Sequence, residues 1–244
     1  MPKDDFNAVA LVSGGQDSIT TVADWLRKHP TSKIHPVSFQ YGQQHREESE
    51  FARRALAIMA GRFPHAAIHE LQTVSLPMVG IKSDLLKDGS QIDESGDLPS
   101  SFVPGRNIIF LAYAAGIAAS LGVRYILTGV CQTDYSGYPD CRESFIDAMQ
   151  RAVRYGTESH LCIDTPLMHK TKAETFRMAD DAGVLDVIID HTLTCYHGVT
   201  DVTHAWGVGC GECPSCRIRA RGWDDFQAMN GDGPCSTTLL PPSI

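Results

Sequence analysis

The chain has 244 residues, 43% of them apolar and 20% charged, enough to bury roughly 70–75% of the surface its unfolded form exposes. That excludes intrinsic disorder and a small scaffold that needs staples to fold. Twenty-one basic residues against twenty-nine acidic ones give a formal charge of −8, the reverse of what gripping a phosphodiester backbone requires, so no nucleic acid is expected as a partner. No run approaches the ~20 apolar residues of a membrane span. The acidic start Met1-Pro2-Lys3-Asp4-Asp5 does not read as a secretory leader. Eight cysteines are too few for a disulfide scaffold, and reduced or metal-bound thiols are expected. A cytoplasmic protein with no membrane contact is the expectation.

Short β-branched runs alternate with longer helical stretches, which predicts an α/β fold with a mostly parallel sheet. Residues 7–12 form the first strand and end in a turn at Gly14-Gly15; a helix follows over 17–28 and a second strand over 34–39. A helix over 45–60 sets Phe51, Ala55, Ile58 and Met59 on one face, with Gly61 as its C-terminal cap. Residues 80–103 lose periodicity and read as a long loop, more often a lid or binding segment than an accident. Residues 107–121 are apolar nearly all round, hence a buried helix, stopped by Gly122. A strand over 125–130 feeds a polar loop, in which Asp140 and Glu143 mark a helix start. Residues 161–163 are a short strand, and Thr171 with Glu174 forms a capping box for a helix that Gly183 ends. Beyond about residue 190, glycine and cysteine become frequent and β-branched runs vanish. This divides the chain into a main domain, 1–190, and a small C-terminal appendage, 191–244.

The first strand runs into Val12-Ser13-Gly14-Gly15-Gln16-Asp17-Ser18 and then a helix. Two glycines let the backbone turn sharply, and the helix N-terminus adds unpaired N–H donors and positive dipole, together an anion site. Ser13 and Ser18 can donate to phosphate oxygens, while Asp17 can hold Mg²⁺ or cap the helix. The loop has no Lys, and neither G-x-x-x-x-G-K-[ST] nor G-x-G-x-x-G occurs. A plain βα turn with a Ser/Asp cap is the bland alternative. The full S-G-G-x-D-S string after a first strand resembles the pyrophosphate loop of the N-type ATP pyrophosphatases, and that resemblance implies cleavage of ATP between its α and β phosphates.

Cys210, Cys213 and Cys216 place three thiols within seven residues, and Cys195 lies fourteen intervening residues upstream. Four thiolates make a closed tetrahedral Zn²⁺ site, which is structural because it leaves no position for water. A redox pair and an iron–sulfur cluster compete, since thiolate spacing alone does not fix the metal. His191, His197 and His204 are alternative fourth ligands.

Three more strings carry polar groups beyond what packing needs. Arg106, in Phe102-Val103-Pro104-Gly105-Arg106-Asn107, can reach phosphate or carboxylate in bidentate fashion. The segment 129–142 sits at a strand's C-terminal end, where open α/β sheets bind ligands. There Tyr135 and Tyr138 can stack on a heterocycle, Asp134 or Asp140 can pair with its amino groups, Ser136 lies between them, and Arg142 can meet an acid. Lys170 or Lys172 can neutralise developing phosphate charge.

Taken in order, S-G-G-Q-D-S, F-V-P-G-R-N, G-V-C-Q-T-D-Y-S-G-Y-P-D-C-R, T-P-L-M-x-x-x-K-A-E-T, L-T-C-Y-H-G and C-G-E-C-P-S-C-R resemble the QueC family, the 7-cyano-7-deazaguanine synthases. The resemblance spans residues 9–221. It implies a Rossmann-like domain that converts 7-carboxy-7-deazaguanine and ammonia into the nitrile with Mg·ATP, through an adenylated acid and then an adenylated amide. It also implies Zn²⁺ on four cysteines and a homodimer. On this reading Val12 to Ser18 and Arg106 bind nucleotide, and Ser13, Asp17, Ser18, Arg142 and Lys172 act in catalysis. Asp134, Tyr135, Ser136, Tyr138, Asp140 and Arg142 bind substrate, and Cys195, Cys210, Cys213 and Cys216 hold zinc. Two features depart from the family pattern: the long Cys195–Cys210 spacing, and Gln40 where Asp is usual before Tyr41-Gly42-Gln43. The rival readings are a related ligase using another amine, a tRNA sulfurtransferase with the same loop, and a zinc-ribbon binding module presenting Arg217, Arg219 and Arg221.

Overall fold

A computed structural model describes residues 6–43, 47–87, 98–133 and 137–230. Strand β1 (Ala8–Leu11) lies at the centre of a six-stranded, wholly parallel sheet. On one side it pairs with β2 (Lys33–Gln40), which pairs in turn with two short strands, β3 (Ala67–Ile68) and β4 (Gln72–Ser75). On the other side come β5 (Tyr125–Leu127) and β6 (Cys162–Asp164). β3 pairs with residues 33–34 of β2 and β4 with residues 37–40; Pro36, which has no N–H to donate, falls in the gap between them.

The helices cover both faces. Ala8, Ala10 and Val12 belong to a core with α1 (Gln16–Lys28), α2 (Glu48–Arg62), α5 (Lys172–Asp181) and α6 (Leu185–His191). Val9 belongs to a second core with α3 (Arg106–Leu121) and α4 (Glu143–Thr157). This alternation is the period-2 pattern of a strand buried on both faces. After α6 come an antiparallel pair, β7 (Thr203–His204) and β8 (Gly207–Val208), and a last helix, α7 (Pro214–Asn230). The segment beyond 190 shares the first core: Trp206, Val208, Cys216 and Phe226 are buried in the same cluster as Ile19 and Phe176.

The α/β reading and the parallel sheet hold, and so do the Thr171–Glu174 capping box and the left-handed Gly122 that stops α3. Several expectations are corrected. Gly61 lies inside α2, which runs to Arg62 and is capped at Phe63; a single glycine near a helix end does not stop it when the next turn stays bonded. Asp140 does not start α4. It sits in a 3₁₀ turn (Pro139–Cys141), and its carboxylate accepts the N–H of Asn107 at 3.2 Å, capping α3 from outside. Helix α3 buries one face, with Leu111, Ala114, Ala115 and Ala118 against the sheet, while Ile108, Ile109, Tyr113 and Leu121 are exposed. Its all-round apolarity reports composition, not what covers its second face. Strands β3 and β4 are too short and too polar for periodicity to show, and α6, β7, β8 and α7 were likewise not anticipated.

Candidate active site

The chain runs outward from β1 to β2 on one side and to β5 on the other, so the C-terminal end of β1 is the sheet's switch point, where open α/β sheets form a crevice. The turn 12–18 occupies it. Gly14 has φ +93°, and a Cβ there would collide with the Glu48 main chain, lying 3.0 Å from its carbonyl carbon. From the other side Gly129, just past β5, approaches so closely that a Cβ would be 2.8 Å from the Asp17 carbonyl carbon. These two glycines let α2 and β5 close on the loop.

Within the turn, the Ser13 N–H donates to Ser18 Oγ at 3.2 Å, the Gly15 N–H donates to Ser13 Oγ at 3.2 Å, and Ser18 Oγ donates to the Gly15 carbonyl at 3.0 Å. No side chain caps α1, which leaves the first-turn N–H groups without an intrahelical partner. Of the two roles the sequence leaves open for Asp17, capping is therefore not the one adopted. Its carboxylate instead takes both of its contacts from Lys172 Nζ, at 2.8 and 2.9 Å. Lys172 opens α5, where a cation is disfavoured by the helix dipole, and Asp17 offsets that cost. Gly222 of α7 presses on the Lys172 stem, with its would-be Cβ 2.5 Å from Lys172 Cβ. The C-terminal helix thus holds the lysine in place. Gln16 is buried, yet neither atom of its amide has a partner among the described residues.

These groups line a cavity of about 340 Å³ that also takes in Tyr41, Glu48, Arg106, Tyr138, Cys141, Tyr196 and Arg219. Arg106 lies over the faces of Tyr41 and Tyr138, at 5.9 and 5.8 Å. Burial alone would lower its affinity for the proton, but Tyr41, Tyr138 and Asp140 raise it, so the guanidinium stays charged. It has no ion pair among the described residues and donates only to the Tyr41 hydroxyl, at 3.4 Å. Tyr138 is buried and bonds Ser101 Oγ at 2.6 Å. Glu48 contributes a carboxyl pushed up to about 7 by burial, against the pull of Arg106 and with help from Glu47. Sequence reasoning missed this residue because it sits in an acidic run, E-E-S-E, that reads as a solvated helix face.

The expected residues distribute unevenly. Val12, Ser13, Gly15, Gln16, Asp17, Ser18, Arg106, Tyr138 and Lys172 line the cavity together. Arg142 lines a neighbouring pocket that shares Cys131 and Tyr138 with the first. Asp140 is engaged with Asn107. Asp134, Tyr135 and Ser136 lie outside the described residues.

Beside the cavity, the Sγ atoms of Cys195, Cys210, Cys213 and Cys216 lie within 4.8 Å of one another, and Cys210 and Cys216 are 3.9 Å apart. A tetrahedron with Zn–S bonds of ~2.3 Å has edges of about 3.8 Å, so the four thiols could hold a tetrahedral ion. Cys213 and Cys216 donate to Cys195 and favour its thiolate, and the same hydrogen bonds hold the donors' protons, pushing Cys213 up to about 11 and Cys216 further. A divalent ion removes the conflict by displacing the protons. The long Cys195–Cys210 segment carries β7 and β8 and stacks His204 on Trp206 at 4.4 Å. Trp206 lies under Arg219, whose guanidinium centre is 5.9 Å above its ring. Arg219 is fully buried, donates to the carbonyls of Ile188 and Thr192, and is lowered to about 10 by burial, with Asp17 and Cys216 opposing. It joins α7 to the chain leaving α6.

A parallel sheet with an uncapped, doubly glycine-clamped helix start at its switch point, opening on a cavity lined by Arg106, Lys172 and Arg219, defines the class: a Rossmann-like α/β enzyme with an anion-receptive βα turn and a metal-competent thiol cluster. Comparison with known proteins narrows this. The family model described as queuosine biosynthesis protein QueC matches residues 7–227, and the chain belongs to that family. A 7-cyano-7-deazaguanine synthase of Alkalilimnicola ehrlichii is 45% identical over 88% of this chain and 93% of its own. Another, from Nitratidesulfovibrio vulgaris, is 41% identical over 96% of this chain and the whole of its own. A solved structure described as a 4-thiouridine synthetase–RNA complex with bound ATP matches with a TM-score of 0.48 and 18% identity, over 91% of this chain and 52% of that one, a likeness too distant to bear on the site. The protein is thus a ligase-type enzyme of queuosine precursor synthesis.

Proposed function

We propose that the enzyme converts 7-carboxy-7-deazaguanine and ammonia into 7-cyano-7-deazaguanine at the expense of ATP. The supporting observation is the turn 12–18: an uncapped helix start, two serine hydroxyls and the Asp17–Lys172 pair meet at one end of a cavity large enough for more than the phosphates. In the first round a carboxylate oxygen of the substrate attacks the α-phosphorus of ATP, the bond to the β-phosphate oxygen breaks and pyrophosphate leaves. Adenylation turns a poor leaving oxygen into a good one. Ammonia then displaces AMP to give the amide. In the second round the amide oxygen is adenylated in the same way, and loss of AMP with the remaining N–H protons leaves the nitrile. The protein contributes position and charge rather than a covalent intermediate.

Ser13, Gly14, Gly15, Gln16 and Ser18 would receive phosphate oxygens, and Lys172 would neutralise charge as pyrophosphate departs. Val12 forms the floor of the turn. Mg²⁺, which takes one or two carboxylates plus substrate phosphates, would be held by Asp17. Arg106, free of any carboxylate partner among the described residues, would bind an anionic group of nucleotide or substrate over the Tyr41 and Tyr138 faces. Tyr138, Arg142 and, with them, Asp134, Tyr135, Ser136 and Asp140 would form the base-binding side. The cysteine cluster would hold Zn²⁺ as a structural ion. A cytoplasmic homodimer without nucleic-acid or membrane partners completes the reading; no described helix is long and apolar enough to cross a membrane, and mass in solution tests the dimer.

The replacement of Ser13 and Asp17 together by Ala is expected to abolish AMP formation while leaving the circular dichroism spectrum unchanged. Unchanged turnover in that double variant rejects the loop assignment.

A further inference from the structure

Amide formation requires the attacking nitrogen to shed a proton, and at neutral pH dissolved ammonia is almost all ammonium. None of the residues assigned above is a base for that step: Asp17 is held by Lys172, and the cysteines belong to the metal-competent cluster. We propose that Glu48 is the catalytic base for amination, receiving ammonium in the cavity and taking a proton from it so that the freed nitrogen lone pair attacks the adenylated acid. The inference rests on the ATP-dependent reading above and deepens it by naming the group that handles the amine.

Three observations place Glu48 there. It opens α2, and its main-chain carbonyl is the group against which Gly14 is pressed, so the residue is fixed beside the phosphate turn. Its side chain belongs to the lining of the same cavity as Ser13, Asp17 and Lys172. Its carboxylate has no hydrogen bond or ion pair among the described residues, although it is partly buried and faces a cation, Arg106. Among the described residues, the charged and titratable groups around it are Arg106 at the start of α3, Tyr41 beyond β2, and Glu47 before it in the chain. Asp17 of α1 and Lys172 of α5 line the cavity as a pair of their own. A carboxylate at a helix start is ordinarily held low by the dipole. Here burial outweighs it and raises the group to about 7, near the working pH, where a general base is most effective.

The step balances. The nitrogen lone pair forms the bond to the acyl carbon, the bond from that carbon to the AMP oxygen breaks, and AMP leaves with the electron pair. Two protons leave nitrogen in all. Glu48 takes the first from ammonium, which frees the lone pair, and passes it to solvent when the amide departs or turns over. The second leaves the adduct to the departing AMP phosphate or to solvent. An electrically neutral nucleophile that is already unprotonated at neutral pH has far less need of the base.

That difference is the test. Full-length wild type, Glu48→Gln and, as a control on local charge, Glu47→Gln are supplied with 7-carboxy-7-deazaguanine, Mg·ATP and either ammonium or hydroxylamine. AMP, amide and hydroxamate are measured. Glu48→Gln is expected to lose ammonium-dependent product by about 10²–10⁴-fold at neutral pH, to regain rate as rising pH supplies free ammonia, and to keep forming hydroxamate. Glu47→Gln is expected to behave as wild type. Ammonium-dependent product unchanged in Glu48→Gln overturns the proposal, and so does equal loss with both nucleophiles, which assigns Glu48 to adenylation or to the fold. If Glu48→Gln is insoluble, the pH profile of the wild type decides: a lower limb near 7 with ammonium that is absent with hydroxylamine supports the base, and the same limb with both nucleophiles removes it. Failure of the wild type to form AMP with either nucleophile defeats the ATP-dependent reading itself, and this inference with it.

Discussion

At the phosphate turn, contacts within and across it explain the presence of Ser13, Ser18 and Asp17. Ser13 and Ser18 bond each other across the turn at 3.2 Å, so their hydroxyls are pre-oriented rather than free to rotate. Lys172 is held on both oxygens of Asp17, which sets a cation and a carboxylate side by side where phosphate charge would develop. Glu48 carries a stability consequence of its own. Its carboxyl ionises near 7 in the folded chain and at an ordinary 4.5 when exposed. Between those values the unfolded chain binds fewer protons than the folded one, so this group's contribution falls as pH rises through the window. Glu48→Gln is therefore expected to melt higher than wild type at pH 8, with the gap closing below about pH 4.5; a melting temperature that is lower at pH 8 contradicts the buried-carboxylate account.

Among the elements, those that position the turn come from far apart in the chain. Gly129 admits the end of β5, Gly14 admits α2, and Gly222 admits α7 against the Lys172 stem. Adding Val at 222 places atoms where Lys172 Cβ and Cγ already lie. Gly222→Val is expected to cost about 1–3 kcal/mol of stability and to lower turnover more than nucleotide binding, because the lysine rather than the loop is displaced. Thermal melts and separate kcat and KM values check this. The element scale also shows what could be read beforehand. The S-G-G-Q-D-S turn was legible because a tight turn and a helix start coincide in six consecutive residues, and the capping box at Thr171 because it is local. The clamp on Lys172 was not, since nothing in R-A-R-G-W says that its glycine faces α5. Asp140 was misread for the same reason: its cap bond goes to Asn107, 33 residues away, and not to the helix that follows it. Glu48 was hidden in a charge run whose exposure only the tertiary arrangement decides.

Taken whole, the molecule couples its thiol cluster to its sheet. Cys195 and Cys216 lie in the same buried core as β1, and Arg219 ties α7 to the segment between α6 and Cys195 while lining the cavity. Four thiols gathered this closely favour a bound divalent ion over the protonated set. Chelation at pH 7 is expected to release one metal ion per chain, lower the melting temperature and weaken nucleotide binding, and re-addition of Zn²⁺ is expected to restore both. A chelated protein with unchanged melting and binding contradicts a structural ion. The family relationship and the cavity together make nitrile synthesis the central claim, and its most direct measurement is mass analysis of the products formed from 7-carboxy-7-deazaguanine, ammonium and Mg·ATP. The expected result is 7-cyano-7-deazaguanine with AMP and pyrophosphate, two of each per nitrile. Formation of ADP, or of base product with no nucleotide cleaved, would contradict attack at the α-phosphorus in the turn behind β1.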